Sequence, residues 1–175
     1  MLAADAFYII FRFFHIVAAA FWFGAAVMFA AFVGPAAGDV GPSAGPLLSN
    51  LVNKRKLAKV ITGAATVAVL AGLTMYLKDA FDRGWGNWLS SPTGIGFTIG
   101  AVAAIGAYFE GYLHIGRNVE KMVHVGDAIA ASGGPPTPEQ GAEMGRLQEA
   151  IKRASQLDLV LLLIAVTCMS TARYW

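Results

Sequence analysis

The side chains of this sequence that could do chemistry sit in or beside long apolar stretches. Arg12, His15 and Trp22 fall at i, i+3 and i+10, along one stripe of a helix. A histidine so placed can ligate a metal or a haem through a ring nitrogen. An arginine one turn away can hold a propionate or another anion. Glu110 and His114 form a second set, an i, i+4 pair on another helix. That spacing suits either an internally paired structural network or a proton relay. Ionisable groups in a span are functional candidates because burying a charge at the bilayer centre costs roughly 3 kcal/mol even on lenient scales.

Each candidate has a structural counterpart. His15 can equally hydrogen-bond a neighbouring helix and hold it in place. His124, on a polar stretch, reads as a surface residue. The six methionines share no M-x-x-M spacing and read as packing side chains rather than a copper relay. Nothing in the chain resembles a phosphate loop, a nucleophile with its base, or an H-E-x-x-H zinc helix. The single cysteine, Cys168, excludes a disulfide framework and any cysteine-based zinc site.

The elements that must position these residues are membrane spans. The chain has 175 residues, 57% hydrophobic and 14% charged, against roughly 45–50% and about 25% in soluble domains. A cytosolic globule, a disordered tail and a basic nucleic-acid binder are excluded, and the length fits one domain. About 20 apolar residues cross a bilayer, and four segments qualify: 7–33, 57–77, 93–113 and the shorter 157–172, which ends in the interfacial Arg173-Tyr174-Trp175. The predicted fold is an all-α, four-helix membrane bundle. The first span is too long, and lacks the preceding basic residues, to be a signal peptide.

An even number of spans puts both termini on one side with Arg12, Lys78, Arg83 and Arg173. Lys54, Arg55, Lys56, Lys59, Arg117, Lys121, Arg146, Lys152 and Arg153 fall on the other, which the positive-inside rule makes cytoplasmic. The Gly- and Pro-rich 34–45 predicts an irregular crossing. Residues 82–94 predict an external turn whose Trp85 and Trp88 anchor at headgroup level. Residues 117–131 read as helical, with Val119, Met122, Val125 and Ile129 at helical spacing. After a Gly-Pro break, Thr137-Pro138-Glu139-Gln140 has the form of a capping box. Residues 117–155 therefore predict a cytoplasmic hairpin extending the third and fourth helices. The pair either simply pack on each other or present a docking stalk to a partner. Gly96 with Gly100, and Ala20 with Gly24, match small-xxx-small helix contacts.

Depth limits the cofactor chemistry. His15 lies toward the outer end of its span and His114 toward the inner end of another. Twelve residues of offset correspond to about 18 Å, whereas two axial ligands of one haem must be nearly level. A bis-histidine haem is thus disfavoured, while a b-type haem with one histidine, or contacts to lipid or pigment, stay open.

The segment from His15 through Trp22-Phe-Gly24 resembles the opening helix of small bacterial membrane proteins of the CopD and HemJ type, in which a histidine precedes a Trp-x-Gly step. The resemblance rests on His15, Trp22 and Gly24, and implies haem- or copper-related chemistry centred on His15. This sequence has no second histidine level with His15 and no methionine cluster. The expectation is therefore a non-enzymatic accessory or scaffold subunit of a bacterial inner-membrane respiratory or photosynthetic complex, in contact with lipid and other subunits. The alternative is a haem or copper handler using His15 and Arg12. A third reading, a transporter or proton path through Glu110 and His114, lacks broken-helix segments.

Overall fold

The computed structural model describes residues 2–175, which are almost entirely helical, with no strand among them. Helix α1 spans Leu2–Met28 and runs through a π-helical turn at Phe29–Val33 into α2, Gly34–Val40. After a tight turn come α3 (Gly45–Ser49), a second π turn at Asn50–Lys54, and α4 (Leu57–Arg83). A short α5 (Trp85–Ser90) leads into α6 (Pro92–Glu110), a π turn at Gly111–Gly116, and α7 (Arg117–Ser132). The last helix, α8 (Pro138–Thr171), ends in a single 3-10 turn. Four helical stretches are long and apolar enough to cross a membrane: Ala6–Val40, Leu57–Arg83, Pro92–Ser132 and Pro138–Tyr174.

The Gly/Pro-rich crossing corrects the sequence expectation, because it is helical. Pro35 falls just after the π turn at Phe29–Val33, where the helical ladder is already shifted, and Pro46 sits in the first turn of the short α3. Only Gly41, at φ 59°, takes a conformation that breaks the run. Glycine and proline here punctuate short helices rather than prevent them. Lys56, at φ 55°, is the one non-glycine residue with positive φ among those described, and it turns the crossing into α4.

In the bundle α1 packs on α4, α4 on α6, α6 on α8, and α8 returns to α1, so consecutive spans are antiparallel neighbours. The core is built from small residues. Trp22, Ala65, Ala68, Ala107 and Leu162 form its centre. The large apolar side chains point outward: Phe13 is 61% exposed and Val102 66%. In lipid the tails are as apolar as leucine, so helix association relies on close backbone approach, and small interface residues supply it. Gly96 lies against Ala172 and Trp175, and Gly100 against Met169 and the Ala165 carbonyl, as the small-residue pattern predicts. Ala20 and Gly24 do not follow it. Both are exposed, and a Cβ at Gly24 would meet nothing within 4 Å.

At the opposite end from the termini, α7 and the start of α8 form the predicted hairpin. Thr137 Oγ1 accepts from the Gln140 N–H at 3.3 Å, and Gln140 Oε1 accepts from the Thr137 N–H at 2.9 Å, a complete capping box. Val123 and Leu147 are buried here, while Val119, Met122, Val125 and Ile129 of the predicted stripe are half-buried. The folded crossing packs on this hairpin through α3 and α7, and Asn53 donates to Asp127 at 3.1 Å.

Candidate functional site

His15 is held by the backbone of α4. Its Nδ1 lies 2.7 Å from the Ala68 carbonyl, and a carbonyl can only accept, so Nδ1 carries the proton. In the neutral ring the lone pair then sits on Nε2, as second-shell carbonyls arrange it in metal-ligating histidines. Room for the ring comes from Gly72, where a Cβ would lie 2.8 Å from His15 Cε1. Glycine in the middle of α4 is thus explained by a close approach rather than a turn. The Ala68 oxygen, with two lone pairs, can accept this bond beside its own helical one.

The other residues of that stripe part company. Arg12 is exposed and lines a cleft at the face that carries the chain termini. Trp22 is 6% exposed and packed into the alanine core. Seven residues of helix put it about 10 Å beyond His15 along the axis. Trp22 is therefore a packing residue, not a third member of a site with Arg12 and His15.

The terminal-face cleft has a volume of about 590 Å³ and draws residues from every span, among them Tyr8, Arg12, Asp79, Arg83, Phe97 and Arg173. The Tyr8 hydroxyl donates to Asp79 Oδ1 at 3.0 Å, and Lys78 pairs with Asp82 at 2.6 Å. Trp88 also lines it, which corrects the expectation of a headgroup anchor. Trp88 is 1% exposed, stacks on Phe97 at 6.1 Å, meets Tyr76 edge-on and lies under Arg83 at 5.4 Å. Its Nε1–H has no acceptor, a deficit of about 1–3 kcal/mol. Trp85, by contrast, is exposed.

At the hairpin face, His114 Nδ1 lies 2.9 Å from Glu110 Oε2, so the i, i+4 pair is formed. It straddles the π turn at Gly111–Gly116, a local widening often found at functional positions. Asp158 of α8 is buried nearby, with Oδ1 unpartnered and facing Gly111. Beyond it, the hairpin charges pair along one helix: Glu143 with Arg146 and Glu149 with Arg153. The hydrogen bonds from those arginines hold both carboxyls below their ordinary range. Backbone and Thr137 hydrogen bonds at the start of α8 do the same for Glu139.

The fit to a haem or metal is one-sided. His15 lies level with Ala68 and Gly72, while His114 lies seven residues past Ala107, which shares the level of Trp22. The two histidines are about 20 Å apart along the bundle axis. A bis-histidine haem does not fit, and no group of three or more His, Cys, Asp or Glu among the described residues is placed to hold a metal ion. His15 lines neither cleft, so it offers a single ring nitrogen rather than a pocket for a haem. No protein-family model, curated protein or solved structure matches the chain.

The sequence reading misses Tyr8, Asp79 and Asp82, and gives Trp88 a different role. Tyr8 stands one turn before Arg12, and Asp79, Asp82 and Arg83 follow at i, i+3 and i+4 at the end of α4. Those spacings were legible as two faces; their meeting depends on how α1 and α4 pack.

Proposed function

We propose that the chain is an integral membrane four-helix bundle that serves as a non-enzymatic accessory or scaffold subunit of a larger bacterial respiratory or photosynthetic complex. In this reading the hairpin is cytoplasmic and both termini lie outside, as the basic-residue asymmetry favours. The observation that carries it is the helical layer at the hairpin face. Four bilayer crossings need only short connections, yet the crossing segment and the hairpin fold on each other through α3, α7 and the Asn53–Asp127 bond. Such a layer supports a role in holding a neighbour. The apolar stripe is half-buried or buried, so contact with that neighbour runs through exposed charges such as Lys121, Lys152 and Arg153. The backbone partner of His15, the core position of Trp22 and the internal pairing of Glu110 with His114 favour a subunit over an enzyme. Purification from native membranes in a mild detergent tests this. Comigration with partner subunits that dissociate in high salt is expected, since exposed charge contacts are screened. A lone 18.4 kDa species at low salt overturns it.

One observation favours a second reading, haem handling of the CopD/HemJ-like kind. The Ala68 carbonyl leaves His15 Nε2 as the ligating nitrogen, and Arg12, one turn outward, is suited to a propionate. A bound haem would supply redox or haem-transfer chemistry; the chain itself would orient His15 through α4 and fix one charge with Arg12. A Soret band lost on His15→Ala supports this reading, and a colourless protein from haem-replete cells sinks it.

A further inference from the structure

The terminal-face cleft is not absorbed by the assembly reading. Arginines from three elements line it: Arg12 from α1, Arg83 from the end of α4, and Arg173 from the turn after α8. Two carboxylates also line it: Asp82 is paired with Lys78, while Asp79 accepts from the Tyr8 hydroxyl and keeps its charge. Arg83 is stacked over Trp88. Arg12 and Arg173 have no ion pair among the described residues. The floor of the cleft is rigid, since Trp88 is clamped between Phe97 and Tyr76, and the indole N–H there lacks an acceptor. Three arginines against two aspartates leave the lining one positive charge in excess, carried on side chains from different helices.

We propose that this cleft is a binding site for a phosphate group. A carboxylate presents two oxygens in one plane, and a single arginine fork satisfies it. Donors arriving from three elements suit a tetrahedral group whose oxygens point in several directions. The volume of about 590 Å³ accommodates a phosphorylated headgroup or a small phosphate ester, within the roughly 300–1,000 Å³ of small-molecule sites. The cleft lies at the ends of apolar spans, where lipid headgroups lie, and it also opens to water. The phosphate therefore belongs either to a lipid or to a soluble ester, with the same recognition chemistry.

The test uses the full chain in a neutral detergent and native mass spectrometry with three probes: phosphatidylglycerol, sn-glycerol 3-phosphate, and a galactosyl diacylglycerol that has no phosphate. At least one phosphate probe binds saturably and tighter than the galactolipid, and Arg12→Gln with Arg173→Gln weakens it roughly tenfold. Retention of phosphatidylglycerol alone assigns the site to lipid, and binding of glycerol phosphate assigns it to soluble esters. The pair Lys54→Gln and Lys56→Gln, at the opposite face, leaves binding unchanged. Should the double arginine variant fail to extract, Arg173→Gln alone, at an exposed position, carries the same test. Binding no tighter than the galactolipid overturns the proposal. So does an unchanged arginine variant, or an equal loss in the lysine variant.

Discussion

Near the terminal face, polar side chains reach across helices; on the hairpin they reach along one. Tyr8 bonds Asp79, 71 residues away, His15 bonds the carbonyl of Ala68, 53 away, and Tyr76 meets Thr98, 22 away. Glu143–Arg146, Glu149–Arg153 and Glu110–His114 span three or four residues. Each end has an exception: Lys78–Asp82 is an i, i+4 pair at the terminal face, and the Asn53–Asp127 bond joins residues 74 apart at the hairpin end. The difference follows from the surroundings. In an apolar bundle, a polar group without water must find a partner on whichever helix lies beside it. In water a local pair is worth only about 0.3–0.5 kcal/mol and settles nothing about neighbouring helices. Changes in the terminal half should therefore disturb the whole bundle, and changes on the hairpin should stay local.

The largest effect should come from Trp22→Ala, which empties the centre of the alanine core and costs about 3–5 kcal/mol of stability. Reversible unfolding in mixed detergent micelles reads it; a loss no greater than that of a hairpin surface variant would break the contrast. Next is Gly72→Ala. The added methyl meets the His15 ring, and the expected loss is about 1–3 kcal/mol. In a His15→Ala background the clash disappears, and the same change becomes stabilising by up to ~1 kcal/mol through helix propensity. A double-mutant cycle with no coupling would show that His15 does not pack where the geometry puts it.

Hairpin changes are smaller. Thr137→Ala removes the capping box at the start of α8 and costs about 1 kcal/mol, visible as faster amide exchange over the first turns of α8 only. Spread of that exchange into α4 would contradict local behaviour. The smallest effect is with pH. Glu143 and Glu149 are held below their ordinary value of 4.5 by their arginines, so their contribution is present above that value and is lost as pH falls through their lowered range. Spin labels at Ser132 and Gly141 should therefore loosen below about pH 4.5. Added salt at neutral pH should mimic part of this. An unchanged spectrum down to pH 3 would mean that the pairs contribute nothing.

The spans, the hairpin, the capping box and the Glu110–His114 pair were legible because each is a property of one helix: hydropathy, period, or spacing along an axis. The terminal-face cleft was not, because it depends on which faces of α1, α4, α6 and the chain end meet. Trp85 and Trp88 read alike at the end of a span, yet α5 folds back so that only Trp88 is covered, by Phe97 and Tyr76. Gly41, Pro35 and Pro46 read as helix breakers by composition, yet only Gly41 breaks the run; Pro35 follows the π turn and Pro46 opens the short α3. His15 was recognised as a residue with chemistry, but the role of Gly72 as its seat could be seen only with α1 and α4 side by side.

The most direct test of the subunit reading is the size and absorption spectrum of the assembly purified from native membranes in mild detergent at low salt. The expected result is a complex well above 18.4 kDa that contains this chain and releases it, colourless, in high salt. A lone 18.4 kDa protein carrying its own Soret band would contradict that reading and favour haem handling through His15.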